Sequence, residues 1–456
     1  MKNLSVFGLG YVGAVTAGCL ARMGHSVVTV DINPVKVEML NSGCPPVLEP
    51  QLEELTRSSY NAGRLRATTD ASVAVAESDI SFVCVGTPSR YNGQLELSSV
   101  RSTCEETGAA LRSKNKFHWV VLRSTVLPGT ARTVVIPALE ASSGKRSGAD
   151  FAVCVNPEFT REGSAVEDFM RPPMTVLGAD DPLHLGPLCE IYQEISGHIF
   201  PTSLETAEMV KYVCNAFHAL KVAFANEIGT LCRHLEVDDT EVMRIFKSDT
   251  KLNISPAYLS PGFAFGGSCL PKDVRALNYC ANQLDLNLPL LRAVTESNQA
   301  HLERAAEAVL ASDRKRIAVL GLSFKPGTDD LRESPSVQLV KRLLGEGCHI
   351  KIWDPDVSLG RLVGSNRQFI EKHIPHIGAL LLTEMEEVVH GAEVVIVLTK
   401  AVDKQKLMAL RTSDQIIIDL RTPVRPLHLP STGEAAFAAS ASGAKAAGVS
   451  VEPAIS

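Results

Sequence analysis

The sequence predicts an α/β protein of two Rossmann-like parallel-sheet domains joined by a long central helix, and three observations carry that prediction. Short β-rich runs alternate with helical segments from Met1 to about Pro201; strands then vanish between Glu205 and about Ala311; a second alternating pattern opens at RKRIAVLGLSF. The length agrees, because 456 residues exceed what one ordinary hydrophobic core organises and imply two or three domains.

In the first half, LSVFGLG, HSVVTVD, DISFVCVG, WVVLRST and FAVCVNPE read as parallel strands of a domain over residues 1–203. Gly8-Leu9-Gly10-Tyr11-Val12-Gly13 follows the first strand and opens the helical AVTAGCLARMG, the context a dinucleotide fingerprint requires. Gly8 permits the tight turn, Gly10 the approach of a pyrophosphate and Gly13 close helix packing, while the helix N-terminus favours negative charge. The next strand ends in Asp31, a carboxylate placed to accept from an adenosine ribose and to repel a 2′-phosphate; Ile32 and Asn33 supply no cation for one. The expected cofactor is NAD rather than NADP. Thr87 in CVGTPS and Ser124-Thr125 in LRSTVLPGT mark two more strand ends, where open α/β sheets bind ligands. Turn chemistry of the Thr-Pro and Pro-Gly pairs explains them equally well.

Apolar residues recur at helical spacing through AEMVKYVCNAFHALKVAFANEIGTLCRHL, which predicts a linking helix within a central region over 204–311. Lys211 and Asn215 lie four apart and His218 three further, so they share one face of an otherwise apolar helix and invite a ligand. Glu158 and Glu162, four apart in Asn156-Pro157-Glu158-Phe159-Thr160-Arg161-Glu162, form a candidate acid/base pair. The most informative segment is Phe265-Gly266-Gly267-Ser268-Cys269-Leu270-Pro271-Lys272-Asp273. Paired glycines let backbone approach a substrate, and a thiol close to Lys272 is a candidate nucleophile. Spacing alone leaves an inert buried cysteine equally open.

The runs RKRIAVLGLSF, HIKIWDP, AEVVIVLTKA and DQIIIDLRTP predict the second sheet, over 312–430. After IAVLGL the turn SFKPGTDDLRESP lacks the GxGxxG pattern, so a second NAD is not expected there. Lys325 and Arg332 suit another phosphorylated ligand such as a nucleotide sugar, or are ordinary surface charge. Residues 431–456, rich in Ala, Ser and Gly, read as a mobile, non-catalytic tail.

Composition narrows the partners. A net charge of −6 with 21% charged residues gives no general attraction for nucleic acid or anionic membrane, and neither is expected. The 11 cysteines lack the paired spacings of zinc sites or disulfide scaffolds, so reduced thiols and no metal are expected. A strand-like run starts within three residues of Met1, and no apolar stretch approaches the roughly 18 residues of a spanning helix. A cytoplasmic protein is expected.

Taken in order and spacing, GLGYVG, RSTVLPGT, NPEFTREG, KYVCNAFH, FGGSCLPKD and GLSFKPGTDDLRESP resemble the UDP-glucose/GDP-mannose dehydrogenase family over residues 1 to about 425. GYVGAVTAGCL, CNAFHALKVAFANE and PGFAFGGSCLPKD resemble its GDP-mannose branch most closely. The resemblance implies a four-electron oxidation of GDP-mannose at C6 by two NAD in succession, through a thiohemiacetal and a thioester on Cys269, for alginate-type polysaccharide synthesis. It further implies that Lys211 and Asn215 stabilise oxyanion charge, while Asp273, Thr125 and Glu158 position water and protons. Glu162, Lys211, Asn215, His218, Asn226, Tyr258, Phe263, Gly266 and Lys325 would hold the nucleotide sugar. Gly8, Gly10, Tyr11, Val12, Gly13, Asp31, Lys36, Thr87, Thr125, Lys272 and Arg332 would hold NAD. Pairing through the central helix, as a homodimer or larger homo-oligomer, is also implied. Many alginate-type relatives carry basic side chains in the segment where this sequence has Asn253 to Ser260, which contains none. UDP-glucose or a UDP-N-acetylhexosamine is the alternative substrate. A catalytically silent nucleotide-binding assembly protein is a second alternative, against which the intact Cys269, Lys211, Asn215 and Asp273 argue.

Overall fold

The computed structural model describes residues 1–259, 262–267, 269–323, 329–360 and 364–421. Ser260, Lys325 and the Ala/Ser-rich tail lie outside the described residues. The chain divides into two compact units at Lys221/Val222, a cut that falls inside the 31-residue helix Leu204–His234. The long helix expected from the apolar periodicity is therefore present.

The first unit is built on eight strands: β1 (Asn3–Phe7), β2 (Ser26–Val30), β3 (Leu65–Thr68), β4 (Ile80–Val83), β5 (His118–Leu122), β6 (Phe151–Val155), β7 (Met174–Ala179) and β8 (His198–Thr202). Their order is β3-β2-β1-β4-β5-β6-β7-β8, which puts the reversal of strand order between β1 and β4. Alternation along β1 fills both faces: Leu4 and Val6 join the core containing Leu20 and Leu55, whereas Phe7 joins the one containing Val100 and Leu139. The sheet is covered on both sides, as a doubly wound fold requires.

One pairing departs from the all-parallel expectation. β7 runs antiparallel to β6, with Cys154 opposite Ala179 and Val155 opposite Gly178. Residues 156–173 consequently leave and rejoin the sheet at the same end, the carboxyl end of β6, with only the short helix Ala165–Met170 among them. A parallel return would have carried this segment across to the other end of the sheet. The antiparallel one keeps Glu158 and Glu162 at the end where ligands bind.

Beyond Val222, the helices Asp239–Ser248, Leu270–Gln283 and Pro289–Leu310 precede a parallel sheet of β9 (Arg316–Leu320), β10 (His349–Trp353), β11 (Val394–Val397) and β12 (Ile416–Asp419), ordered β10-β9-β11-β12. Ile317 and Val319 face one core and Ala318 and Leu320 the other. Among the described residues no helix is long and apolar enough to cross a membrane.

The two sheets repeat one turn atom for atom. Gly8 and Gly321 both have positive φ, 96° and 111°, and their amides donate to Val30 and Trp353 at 2.7 and 2.8 Å. The next amides, of Leu9 and Leu322, donate to the Oδ2 atoms of Asp31 (2.6 Å) and Asp354 (2.7 Å). The turns then diverge. Where Gly10 leaves space after the first turn, Ser323 donates both its amide (2.9 Å) and its hydroxyl (3.0 Å) to Asp354, whose residue is only 5% exposed. Asp354 is committed to its own turn, whereas Asp31 lines a cleft. This is the physical form of the fingerprint missing from the second half.

Candidate active site

The cofactor features converge in the first unit. A cleft of about 480 Å³ is lined by Gly8, Gly10, Asp31, Ile32, Asn33, Lys36 and Gly86, and on its other wall by Ser99, Ser102, Thr103 and Glu106. Each glycine of the fingerprint has its own reason. A Cβ on Gly8 would press the Cys84 carbonyl oxygen at 3.0 Å, one on Gly13 would run into the Gly8 carbonyl, and one on Gly10 would meet nothing within 4 Å and project into open space. Gly10 caps the helix Tyr11–Arg22 without a side chain, leaving its first amides for an anion. Asp31 is braced by the Leu9 and Asn33 amides (2.6 and 2.8 Å) with the Lys36 ammonium 3.9 Å away, and a carboxylate so placed retains lone pairs for ribose hydroxyls. The residues present therefore fit an NAD.

Thr87 and Thr125 prove to be partners: the Thr87 hydroxyl donates to the Thr125 carbonyl at 2.7 Å and ties the ends of β4 and β5 together. The loop beyond Thr125 is pinned by Glu208, a 2%-exposed carboxylate that accepts the Gly129 and Ala131 amides at 2.6 and 2.7 Å. Val12 and Tyr11 pack against the core, and the Tyr11 hydroxyl is hydrogen-bonded to Glu49.

A buried ion pair is the chemical feature of this unit. Lys211 Nζ lies 2.8 Å from Glu158 Oε1, with side-chain exposures of 9% and 11%, and packs over the Phe159 ring. Burial pushes the Glu158 carboxyl up, but the Lys211 ammonium together with the Thr160 hydroxyl (2.7 Å) and amide (2.8 Å) outweighs it, and the net displacement is downward. Glu158 is therefore a carboxylate at neutral pH and a hydrogen-bond acceptor. The expected Glu158/Glu162 pair does not form. Residues 156–163 are irregular, so a spacing of four puts no two side chains on one face; Glu158 is enclosed and Glu162 exposed. Along the long helix, Lys211 is buried whereas Asn215 and His218 are exposed.

In the second unit, Cys269 caps the helix Leu270–Gln283, whose N-terminal end favours negative charge. Exposure separates it from most other thiols: of the 11 cysteines, only Cys44 and Cys269 are exposed, while burial pushes Cys19, Cys84, Cys104 and Cys154 up to about 12 and keeps them as inert thiols. Two cations lie within electrostatic reach of Cys269. Lys272 is ion-paired with Asp273, and Arg332 holds Asp330 through two bonds of 2.9 and 2.8 Å. Both cations are held above their ordinary values, mainly by these carboxylates.

The loop that presents the thiol is anchored by backbone. Asn298 donates to the Phe265 carbonyl (2.9 Å) and accepts its amide (2.8 Å), and Phe263 packs against the second core. A Cβ on Gly266 would collide with the Glu333 carbonyl oxygen and Pro335 Cδ, so glycine is required for close approach. Glu333, itself at φ 54°, also pairs with Arg275 on the thiol-bearing helix at 3.1 Å. Asn226 and Tyr258 are exposed, the latter at φ 63°.

Sequence reasoning missed Glu49, Glu208, Asn298 and the cleft wall formed by the helix Ser98–Leu111. Ser99, Ser102, Thr103 and Glu106 do recur at helical spacing, but that pattern reads as a solvated face unless the opposing strand ends are known.

Comparison with known proteins agrees with these features. The chain matches the NAD binding domain of the UDP-glucose/GDP-mannose dehydrogenase family over residues 2–196, its central domain over 205–300 and its UDP binding domain over 318–426. It is 47% identical over 423 residues to GDP-mannose 6-dehydrogenase of Pseudomonas aeruginosa, covering 92% of this chain and 94% of that one. Its identity to GDP-mannose 6-dehydrogenase of Azotobacter vinelandii is 48% over 394 residues, covering 86% and 90%. A crystal structure of a ternary complex of the Pseudomonas aeruginosa GDP-mannose dehydrogenase superposes with a TM-score of 0.88 at 47% identity, covering 92% of this chain and 96% of that one. With all three domain models matched in order on a scaffold whose cleft fits NAD, the chain belongs to the UDP-glucose/GDP-mannose dehydrogenase family and is an NAD-dependent nucleotide-sugar dehydrogenase.

Proposed function

We propose that the protein oxidises GDP-mannose at C6 to GDP-mannuronate, with Cys269 as the covalent nucleophile, and supplies an alginate-type polysaccharide pathway in the cytoplasm. The single observation that carries the chemistry is an exposed thiol at a helix N-terminus, within electrostatic reach of Lys272 and Arg332, in a chain whose other thiols are mostly enclosed. The substrate assignment rests on the relatives named GDP-mannose 6-dehydrogenase at 47–50% identity, against 40% for a UDP-glucose 6-dehydrogenase from Haloferax volcanii.

In this reading residues 1–203 bind NAD, residues 204–311 carry Cys269 and the pairing surface, and residues 312–430 bind the nucleotide, with Lys325 among the contacts. NAD, held by the cleft of Gly8, Gly10, Asp31 and Lys36, would supply the hydride acceptor for two successive oxidations. Glu158 takes the proton of the C6 hydroxyl, directly or through a water that Thr125 and Asp273 help to position. The Cys269 thiolate adds to the resulting aldehyde carbon. Lys211, which spends one donor on Glu158, uses its others with Asn215 to stabilise the thiohemiacetal oxyanion. Loss of a second hydride from that carbon leaves a thioester, and water releases the carboxylate and restores the thiol. Glu162, His218, Asn226, Tyr258, Phe263 and Gly266 orient the nucleotide sugar.

The long helix also presents Met209, Val213, Phe217 and Leu220 exposed at spacings of four, four and three, a continuous apolar stripe that supports pairing of two copies. A dimer or larger species is expected by light scattering at micromolar concentration, and a monomeric mass rejects it. The substrate reading is tested by NADH formation with GDP-mannose, UDP-glucose and UDP-N-acetylmannosamine. GDP-mannose is expected to give a kcat/KM at least about tenfold above the others, a difference of about 1.4 kcal/mol; a UDP-sugar in first place overturns it.

A further inference from the structure

Glu49 belongs to none of the motifs that carry the family resemblance, yet it is 5% exposed and gathers donors from two functional segments. Its Oε2 accepts the Tyr11 hydroxyl and, at 2.9 Å, the Gly163 amide; its Oε1 accepts the Ala165 amide at 2.7 Å. The Gly163 amide also reaches the Tyr11 hydroxyl oxygen at 3.0 Å, so the three groups close a small ring. Gly163, at φ 89°, takes a backbone conformation that disfavours other residues. Tyr11 is the first residue of the helix behind the GLGYVG turn, and Gly163 and Ala165 end the segment that carries Glu158 and Glu162.

The protonation states suit the arrangement. Burial pushes the Glu49 carboxyl up, but its hydrogen bonds from Tyr11, Gly163 and Ala165 outweigh this and hold it below the ordinary carboxylate range, so it is an acceptor at neutral pH. Burial, followed by the bond to Glu49, pushes the Tyr11 phenol up to about 12, so it remains a donor. The other end of the acid segment is fixed by Asn156, which accepts from Arg123 (2.6 Å) and Tyr192 (2.6 Å) and donates to the Val176 carbonyl (3.0 Å), while Arg123 also donates to Thr16 of the helix Tyr11–Arg22 (3.1 Å). Beside the direct Gly163–Tyr11 bond, Glu49 is the buried carboxylate that joins the acid segment to the cofactor turn.

We propose that Glu49 is a positioning residue that couples the two ligand sites, tying the cofactor turn at Tyr11 to the acid-bearing segment so that NAD binding favours the geometry that receives the sugar. The proposal rests on the reading above, in which residues 158–162 serve the sugar. By linkage the effect is reciprocal: bound sugar tightens the cofactor by the same factor.

The test is the affinity for nucleotide sugar, by calorimetry, with and without saturating NADH, a pairing that does not turn over. GDP-mannose is titrated first, and UDP-glucose takes its place if the wild type binds only that; such a switch corrects the substrate while still measuring the coupling. The wild type is expected to bind the sugar at least about fivefold more tightly with NADH. Glu49→Gln turns an amide donor toward donors; it is expected to bring that ratio to within about twofold of unity while binding NADH alone within about threefold of wild type. Tyr11→Phe, which removes one bond of the ring, should lower the ratio to an intermediate value and serves as the deciding variant if Glu49→Gln does not fold. A ratio unchanged in the folded variants, or a wild type with no coupling, overturns the proposal.

Discussion

Cys269→Ser is expected to lower turnover to the acid by at least about 10³-fold while NAD still binds and raises the melting temperature. The loss is large because the second oxidation depends on a carbon attached to sulfur. A serine hydroxyl is far less acidic than a thiol, adds to the aldehyde as a poorer nucleophile and would form an ester that hydrolyses more slowly than a thioester. Binding should survive because the cleft that fits NAD is formed in the first unit, by Gly8, Gly10, Asp31 and their neighbours, whereas Cys269 lies in the second. The checks are steady-state NADH formation with product identification and a thermal shift with NAD. Undiminished acid production by the folded variant excludes covalent catalysis.

Lys211→Met should have the second-largest effect, on stability and chemistry together. It strands the Glu158 carboxylate at 11% side-chain exposure, and breaking a buried pair from one side costs about 3–5 kcal/mol. Activity should fall by about 10²–10³-fold through loss of oxyanion stabilisation. Adding Glu158→Gln removes the stranded charge, so the double variant should regain most of the stability and little of the activity. The pH dependence has a definite sign. The native Glu158 carboxyl is depressed, so the contribution of the pair is fully present above the ordinary carboxylate value of about 4.3 and is lost as pH falls through the lower native value. The stability gap between wild type and Lys211→Met should therefore be widest near neutrality and shrink in acid. Denaturation of both single variants and the double variant across pH measures this, and strictly additive effects would refute a coupled pair.

Much of this architecture is legible in the residues because it rests on short-range rules. Short β-rich apolar runs gave the strands, the 3.6-residue period gave the long helix, and the glycine spacing with Asp31 gave the cofactor turn. What spacing cannot reveal is tertiary. Glu158 and Glu162 look like a pair only if the segment is helical; it is irregular, and Glu158 finds its partner 53 positions away in Lys211. Glu49 lies in a stretch with no periodic signal, and its role depends on amides brought near by the antiparallel return of β7. The eleven thiols look alike as letters, and burial is what distinguishes Cys269 from most of them.

The measurement closest to the central claim is the number of NADH formed per GDP-mannose consumed at completion, with the product identified. Two NADH and a GDP-linked uronate are the predicted result. One NADH with the product arrested at the aldehyde, or no NADH at all, would contradict it.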